Sequence, residues 1–348
     1  ARINELKKMI DKLHEKNISV VMDVVYNHVY DAVNFSFEKL VPGYSYHVDR
    51  NGINTNVSGC NNDLATHRKM LRKLIIDASL FWASEYKIDG FRFDLMALHD
   101  VDTMNMIVDA LHAIDPTIMV YGEPWMGGTS PLPADQQAGK ANLSQIEGVG
   151  AFNDDLRDGV KGSVFARAEG GFIQGNFTNN LIQRVRYGIA GGVAHPQVTG
   201  SSLSNMRIWH TEPTKTINYV TAHDNNTLYD KLYQTLEEDG DLDLIPALMK
   251  QANAIVLLSQ GVSFLHAGDE FMRSKPADNG KGFDHNSYQS PESVNQLRRD
   301  LKAEADKMEI FEYYKDLIAF RKDHDALRMT TSGEVINNLE FIYTDETG

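Results

Sequence analysis

Helical and strand-like patterns of apolar residues alternate along most of the chain. Ile3, Leu6, Ile10 and Leu13 recur at helical spacing, and residues 18–25 then form an almost unbroken β-branched run. Such a run is typical of a strand buried on both faces of a parallel sheet. The pattern therefore predicts an α/β protein. Further helices are predicted near residues 71–81, 103–114, 244–258 and 306–322. The inner face of the first of these is predicted to carry Leu71, Leu74, Ile75, Ala78 and Phe81. Further strands are predicted at residues 90–94, 118–121, 149–154, 217–222 and 261–265.

One short strand carries a cation and a carboxylate on the same face. In Gly90–Asp94 the side chains alternate between the two faces of the sheet, so Phe91 and Phe93 face one side while Arg92 and Asp94 face the other. A nearby guanidinium favours the ionised form of a carboxylate. An ionised carboxylate on a rigid strand end suits a nucleophile, whereas a single pair of this kind is more often structural.

Polar clusters follow other predicted strands at the same end. His28 follows the first strand, Glu123 and Trp125 follow another, and His223–Asn225 follow a third. In a β/α barrel the active site is built from the loops at the carboxyl ends of the strands. An open doubly wound sheet would place its site similarly, but no Gly-rich phosphate loop follows any strand, which argues against a nucleotide-binding fold.

Three carboxylates at three strand ends indicate glycoside hydrolysis, which uses one carboxylate as nucleophile and another as acid. Asp94 suits the nucleophile. Glu123 suits the general acid if burial and neighbouring negative charge retain its proton. Asp224 suits the binding of sugar hydroxyls and the stabilisation of positive charge on the ring. The alternative of a metal site is disfavoured because no pair of these groups has the spacing of zinc ligands.

Aromatic and imidazole groups complete the candidate site. His28 and His223 offer neutral hydrogen-bond donors for hydroxyl groups, and Trp125 offers a flat apolar face on which a sugar can stack. Each of these residues alone would more often have a structural role: a histidine as a packing or capping group and a tryptophan as part of the core. Their repeated position directly after strands favours the functional interpretation.

Composition and net charge limit the classes of molecule that the protein is expected to bind. The net charge of −14 argues against nucleic acid or an anionic membrane surface as a partner. The single cysteine, Cys60, excludes an internal disulfide. No apolar run is long enough to span a membrane, and the first residues resemble the interior of a helix rather than a signal peptide. No localisation is assigned.

Four segments together resemble a known family. Residues 23–28, 90–94, 121–125 and 220–225 occur in the order of the four conserved regions of the α-amylase superfamily, glycoside hydrolase family 13. Residues 93–96, 151–158, 264–271 and 286–295 resemble the type I pullulanases in particular. This resemblance covers essentially the whole chain. It implies retaining hydrolysis of α-1,6 branch linkages in an α-glucan such as pullulan, glycogen or starch.

The resemblance also implies roles for individual residues. Asp94, Glu123 and Asp224 align with the nucleophile, the acid/base and the transition-state stabiliser. Asn27 matches a calcium ligand of many α-amylases, but pullulanases do not reliably keep that site, so no metal and no cofactor is predicted. The residues expected to bind substrate are His28, Arg92, Trp125, His223 and Asn225.

The fold implied by the resemblance is a (β/α)8 TIM barrel followed by a β-sandwich. The pattern gives six strands where such a barrel has eight, so the first two strand–helix units are expected to be missing. Residues 1–330 would form the partial barrel, and residues 331–348 would begin an all-β domain with a hairpin formed by residues 334–336 and 339–343. Strands near Val20 and Phe264 would then have unpaired edges, and residues 1–348 alone are expected to be inactive or poorly stable.

Two alternatives remain at this point. An isoamylase-like or α-1,4-glucan hydrolase of the same superfamily would share most of these motifs. A non-catalytic barrel module is less favoured because Asp94, Glu123 and Asp224 are all present.

Overall fold

The chain folds into two compact units, Ala1–Phe152 and Asn153–Gly348. The structure, a computed structural model, describes residues 2–199, 209, 211–238 and 240–342. The first unit contains helices α1 (Arg2–His14), α2 (Ser36–Leu40), α3 (Lys69–Tyr86) and α4 (Val101–His112), and strands β1 (Val21–Val24), β2 (Gly90–Phe93), β3 (Met119–Gly122) and β4 (Val149–Phe152).

The strands of the first unit form a parallel ladder in chain order. Asp23 of β1 lies opposite Arg92 of β2, and Arg92 lies opposite Tyr121 of β3. Strand β3 then pairs with β4. Because parallel strands end at the same edge of a sheet, the residues that follow β2 and β3, Asp94 and Glu123, are brought to one edge.

Helix ends and apolar packing fix these strands in place. Phe91 and Phe93 are fully buried. Helix α3 ends at Lys87, which adopts the left-handed conformation at φ 58° and turns the chain into β2. Helix α4 begins after Asp100, whose side chain caps it by accepting a hydrogen bond from the backbone N–H of Thr103.

The prediction that the first strand is buried on both faces is wrong in part. The strand extends only over Val21–Val24, and Ile18 and Val25 on either side are about half exposed. Among the described residues of this unit β1 pairs with β2 alone, so its other edge has no neighbouring strand to cover it. On α3, Leu71 and Ile75 are buried as predicted, whereas Leu74 and Phe81 are 44% and 50% exposed.

The second unit is mainly helical around a short parallel pair. Strand β5 pairs with β6, and both are shorter than the predicted strands over residues 217–222 and 261–265. Its core packs residues of five helices, α5, α6, α7, α8 and α10. The elements are α5 (Asp154–Lys161), α6 (Asn179–Ile189), β5 (Thr216–Asn218), α7 (Leu228–Leu236), α8 (Ile245–Leu258), β6 (Val262–Ser263), α9 (Glu292–Asn295), α10 (Ala305–Asp323) and α11 (Ser332–Asn338).

The predicted hairpin at the end of the chain is wrong over residues 334–336, which lie in α11. Thr331 and Glu334 form a reciprocal capping box, and this local signal outweighs the alternating apolar pattern. Val335 is fully buried against Ala190 and Val193. The proposed domain boundary at residue 330 stays a prediction, and the expected strand residue Tyr343 lies outside the described residues.

Within the described ranges, none of the helices combines the length and the apolar character that crossing a membrane requires.

Candidate active site

One guanidinium organises the strand ends of the first unit. Arg92 Nη1 lies 2.9 Å from Asp23 Oδ1 and 2.9 Å from Asp94 Oδ1, and Nη2 lies 2.6 Å from Glu123 Oε1. Burial alone would lower the pKa of Arg92, but Glu123 and Asp23 outweigh it and raise that pKa above its ordinary value. Arg92 is therefore a permanent buried cation that holds three carboxylates around it.

Asp94 is held at both oxygen atoms. Oδ1 contacts Arg92, and Oδ2 accepts a hydrogen bond of 2.9 Å from Asn27 Nδ2. The same amide donates to the Asp94 backbone oxygen at 2.6 Å, and Asn27 Oδ1 lies 2.5 Å from His28 Nδ1. The Asp94 side chain is 22% exposed. The carboxylate is thus fixed in orientation while part of it stays accessible.

Glu123 is fixed by side-chain and backbone contacts. Oε1 contacts Arg92, and Oε2 accepts a hydrogen bond of 2.9 Å from the backbone N–H of Leu95, a non-glycine residue in the left-handed region at φ 38°. The preceding Gly122 lies so close to β2 that an added Cβ would meet the Phe93 carbonyl oxygen at 2.6 Å. Only glycine permits this approach, which sets Glu123 beside the strand that carries Asp94.

The first unit therefore brings these residues together: His28 is linked through Asn27 to Asp94, and Asp94 is linked through Arg92 to Glu123. Trp125, two residues after Glu123, is half-buried. Its stacking role stays a prediction.

The second unit places the other predicted residues between β5 and α7, five to seven residues after β5 ends. The His223 and Asp224 side chains are 58% and 53% exposed, and His223 Nε2 lies 3.4 Å from Asp224 Oδ2. Asn225 has a left-handed backbone conformation at φ 62°, as a sharp turn before α7 requires. These three residues occupy one exposed turn of this unit.

Sequence reasoning missed Asp23 and the contacts of Asn27. Asp23 is paired in register with Arg92 and shares its guanidinium with Asp94. The signal was a charged residue that interrupts an otherwise apolar strand. The family resemblance identifies Asn27 only as a match to a calcium ligand, whereas both ends of its side chain form hydrogen bonds, one with Asp94 and one with His28.

The surroundings of Asn27 do not fit a calcium site, because its oxygen is engaged by His28. Across the described ranges of the chain, no group of three or more His, Cys, Asp and Glu side chains is arranged to hold a metal ion. We therefore derive no step of the chemistry through a metal.

A parallel α/β sheet whose adjacent strands end in carboxylates joined by one buried arginine is an arrangement suited to a glycoside hydrolase. No family model matches the chain. It is 40% identical over 345 residues to the pullulanase of Bacillus subtilis, covering 99% of this chain and 45% of that protein. The chain is a homologue of the type I pullulanases of glycoside hydrolase family 13.

One solved structure and one more distant relative also resemble this chain. The crystal structure of the Paenibacillus barengoltzii pullulanase in complex with maltohexaose and α-cyclodextrin superposes with a TM-score of 0.88 at 41% identity, covering 99% of this chain and 50% of that chain. Isoamylase 3, a chloroplast protein of Oryza sativa subsp. japonica, is 27% identical over 353 residues, covering 94% of this chain and 43% of that protein. The chain thus spans about half the length of these two pullulanases.

Proposed function

We propose that the protein to which these residues belong is a retaining glycoside hydrolase that cleaves α-1,6 branch linkages in α-glucans. The observation that carries the proposal is the pair Asp94 and Glu123, which follow adjacent parallel strands and contact one guanidinium, that of Arg92. Such a site needs two carboxylates, one on each side of the scissile bond. The strands of this chain are proposed to be part of a (β/α)8 barrel.

The proposed reaction has two steps. In the first, an Asp94 oxygen attacks the anomeric carbon while Glu123 donates its proton to the leaving glycosidic oxygen, which departs as a free hydroxyl. In the second, Glu123 takes a proton from water, and the water oxygen attacks the anomeric carbon and releases Asp94. The sugar keeps its α-configuration because it is inverted twice.

The surroundings of the two carboxylates support this division of roles. Asp94 is held by Arg92 and Asn27, whose donors fix both carboxylate oxygens in orientation. Glu123 is buried, and Asp23 and Asp94 share its arginine, so three carboxylates compete for one positive charge. Because burial disfavours the charged form of a carboxylate, the proposed acid is Glu123, whose side chain is 8% exposed against 22% for Asp94.

The remaining assignments rest on the family resemblance. Asp224 is proposed to stabilise the positive charge of the transition state. His28, Arg92, His223 and Asn225 are proposed to bind hydroxyl groups of the substrate. Trp125 is proposed to stack on a sugar ring. An α-glucan is the proposed substrate because a pullulanase with which this chain superposes was crystallised with maltohexaose.

The test is product analysis with the full-length protein. Pullulan should release maltotriose, linear amylose should stay largely intact, and the first product seen by NMR should be the α-anomer. Panose from pullulan, or rapid cleavage of amylose, would favour an α-1,4-glucan hydrolase. Debranching of amylopectin without cleavage of pullulan would favour the isoamylase-like alternative. The similarity of the chain to a rice isoamylase supports that alternative.

Geometry provides an independent test. In a complex with substrate, the carboxyl groups of Asp94 and Glu123 should lie about 5–5.5 Å apart, as in retaining enzymes. A separation of roughly 6.5–9.5 Å with a water molecule between them would indicate an inverting enzyme instead.

A further inference from the structure

The exposed turn that carries Asp224 is anchored through its backbone and flanks. Thr221 Oγ1, three residues earlier, donates a hydrogen bond of 2.8 Å to the buried Asp269. The backbone oxygen of His223 accepts a hydrogen bond of 3.0 Å from Lys275 Nζ. These two buried contacts hold the backbone that leads into Asp224.

Lys275 is itself held by a buried carboxylate of α7. The backbone N–H of Lys275 donates at 2.9 Å to Asp230 Oδ2, and Ser274 Oγ donates at 2.5 Å to Asp230 Oδ1. Asp230 is fully buried, and its own N–H is capped by Thr227, which lies three residues after Asp224. The two ends of the turn are therefore tied to one network: one through Asp230 and the other through the Lys275 ammonium.

Burying the Lys275 ammonium would cost free energy if the side chain served only to fill space in the core. Lys275 is 1% exposed, and burial lowers its pKa. Asp230 and Asp224 act in the opposite direction, as does Asp284, while Arg273 adds to the lowering. A buried ammonium is stable only when its charge and donors are matched. Here its donor is directed at the peptide carbonyl that joins His223 to Asp224.

A second buried lysine in the same unit shows the contrasting case. Lys231, 3% exposed, donates from Nζ to the backbone oxygens of Ser163, Ala166 and Arg167, which closes a loop. Its acceptors lie in a segment distant in sequence from His223. Lys231 and Lys275 are thus matched in burial and chemistry but differ in the backbone that they hold.

We propose that Lys275 is a positioning residue for catalysis: its ammonium fixes the peptide between His223 and Asp224 and so aims the Asp224 carboxylate at the transition state. This inference rests on the proposed function, in which Asp224 stabilises that state. Lys275 acts through Asp224 and does not itself touch substrate. Its effect belongs to turnover, because the interaction that it supports strengthens only as positive charge develops.

The experiment compares Lys275→Met with Lys231→Met in the full-length protein, with kcat and KM measured on pullulan and stability measured by calorimetry. We expect Lys275→Met to lower kcat roughly 10²-fold with KM changed less than about threefold, since small misplacements of catalytic groups cost on this order. Lys231→Met should lower the unfolding temperature and leave kcat near the wild-type value. In an Asp224→Asn background, Lys275→Met should have little further effect on kcat.

The outcomes separate this inference from the function on which it rests. Wild-type kcat in folded Lys275→Met, or the same fold-loss with and without Asp224→Asn, overturns the role of Lys275 alone. A wild-type protein that cleaves no α-glucan overturns the proposed function and the inference with it. If Lys275→Met does not fold, Lys275→Gln, which keeps a donor but loses the charge, decides: it should lower kcat with KM preserved, and unchanged kcat contradicts the proposal.

Discussion

The proposed catalytic carboxylates of the two units are held in two different ways. In the first unit Asp94 and Glu123 are 22% and 8% exposed and are fixed through their side chains by Arg92. In the second unit the Asp224 side chain is 53% exposed, and the buried anchors act on the backbone around it. We propose that this difference matches the proposed roles: the nucleophile and the acid are held rigidly, whereas the transition-state stabiliser is held through its backbone and adapts to the substrate.

The sharpest test of this contrast replaces the two aspartates in parallel. Asp94→Asn removes the proposed nucleophile and should lower kcat by about 10⁴-fold or more, because no covalent intermediate can form. Arg92 still has Asp23 and Glu123 as partners, so the unfolding temperature should change little. Steady-state kinetics on pullulan and calorimetry measure both effects.

Asp224→Asn is the matched control for that experiment. A loss as large as that of Asp94→Asn would show that the exposed Asp224 contributes as much to turnover as the rigidly held Asp94. Wild-type turnover in Asp94→Asn would remove the nucleophile assignment altogether.

Arg92→Lys tests whether a planar guanidinium is needed to hold the carboxylates of the first unit in position. An ammonium cannot contact Asp23, Asp94 and Glu123 in the geometry that the two guanidinium nitrogens provide. We expect kcat to fall by roughly 10²–10³-fold, the size of effect seen when one preorganised electrostatic group is lost.

Arg298, which is exposed, provides a control for the Arg92→Lys substitution. Arg298→Lys alters a surface pair with Asp300 and should leave kinetics and stability unchanged. Equal kinetics of Arg92→Lys and the wild-type protein would show that charge alone suffices at this position.

Gly122→Ala tests how closely β2 and β3 must approach to place Glu123. The added Cβ would meet the Phe93 carbonyl oxygen at 2.6 Å, so the strands must shift. We expect a loss of stability of about 1–3 kcal/mol and a fall in kcat of up to roughly 10²-fold. Urea denaturation and kinetics on pullulan measure these effects.

Gly333→Ala is the control for this substitution, because nothing lies within 4 Å of its added Cβ in α11. It should be neutral or slightly stabilising. If Gly122→Ala behaved in the same way, the close approach of the strands would not determine the position of Glu123.

Much of this architecture follows from local sequence. The helical spacing of Ile3–Leu13 predicted α1, and the alternation in Gly90–Asp94 predicted the face shared by Arg92 and Asp94, which their direct contact confirms. These features depend on periodicity, which a sequence displays directly. The strand-end position of Glu123 also follows from where its apolar run stops, whereas β5 ends at Asn218, six residues before Asp224, although the predicted strand runs to residue 222.

Other features depend on partners far away in the chain. The sharing of Arg92 by Asp23 and Glu123 requires the register between three strands, and the link from Lys275 to His223 spans 52 residues. The exposure of Val25 depends on β1 having β2 as its only neighbour among the described strands of this unit. At residues 334–336, alternation and capping gave conflicting signals, and the capping box determined the structure.

The last prediction concerns the acid sensitivity that accompanies the rigid site of the first unit. His99 is completely buried, its ring contacts Phe93 edge-on at 5.6 Å, and burial lowers its pKa from 6.5 to about 4, against the opposing effects of Asp100 and Asp94. The unfolded chain therefore binds a proton at this histidine at a higher pH than the folded chain. Stability contributed by the neutral ring is complete above about pH 6.5 and is lost as the pH falls towards 4.

Replacing His99 by phenylalanine should remove this pH dependence. For one such group, the free energy of unfolding should drop by about 2 kcal/mol between pH 7 and pH 5 in the wild-type protein, and His99→Phe should reduce the drop by that amount. Urea denaturation at the two pH values measures it, with the exposed His285→Gln of the second unit as a control that should keep the wild-type dependence. If the free energy of unfolding of His99→Phe fell by the same amount as that of the wild-type protein, the acid sensitivity would come from other groups. The neutral form of His99 would then not contribute to the stability of the first unit.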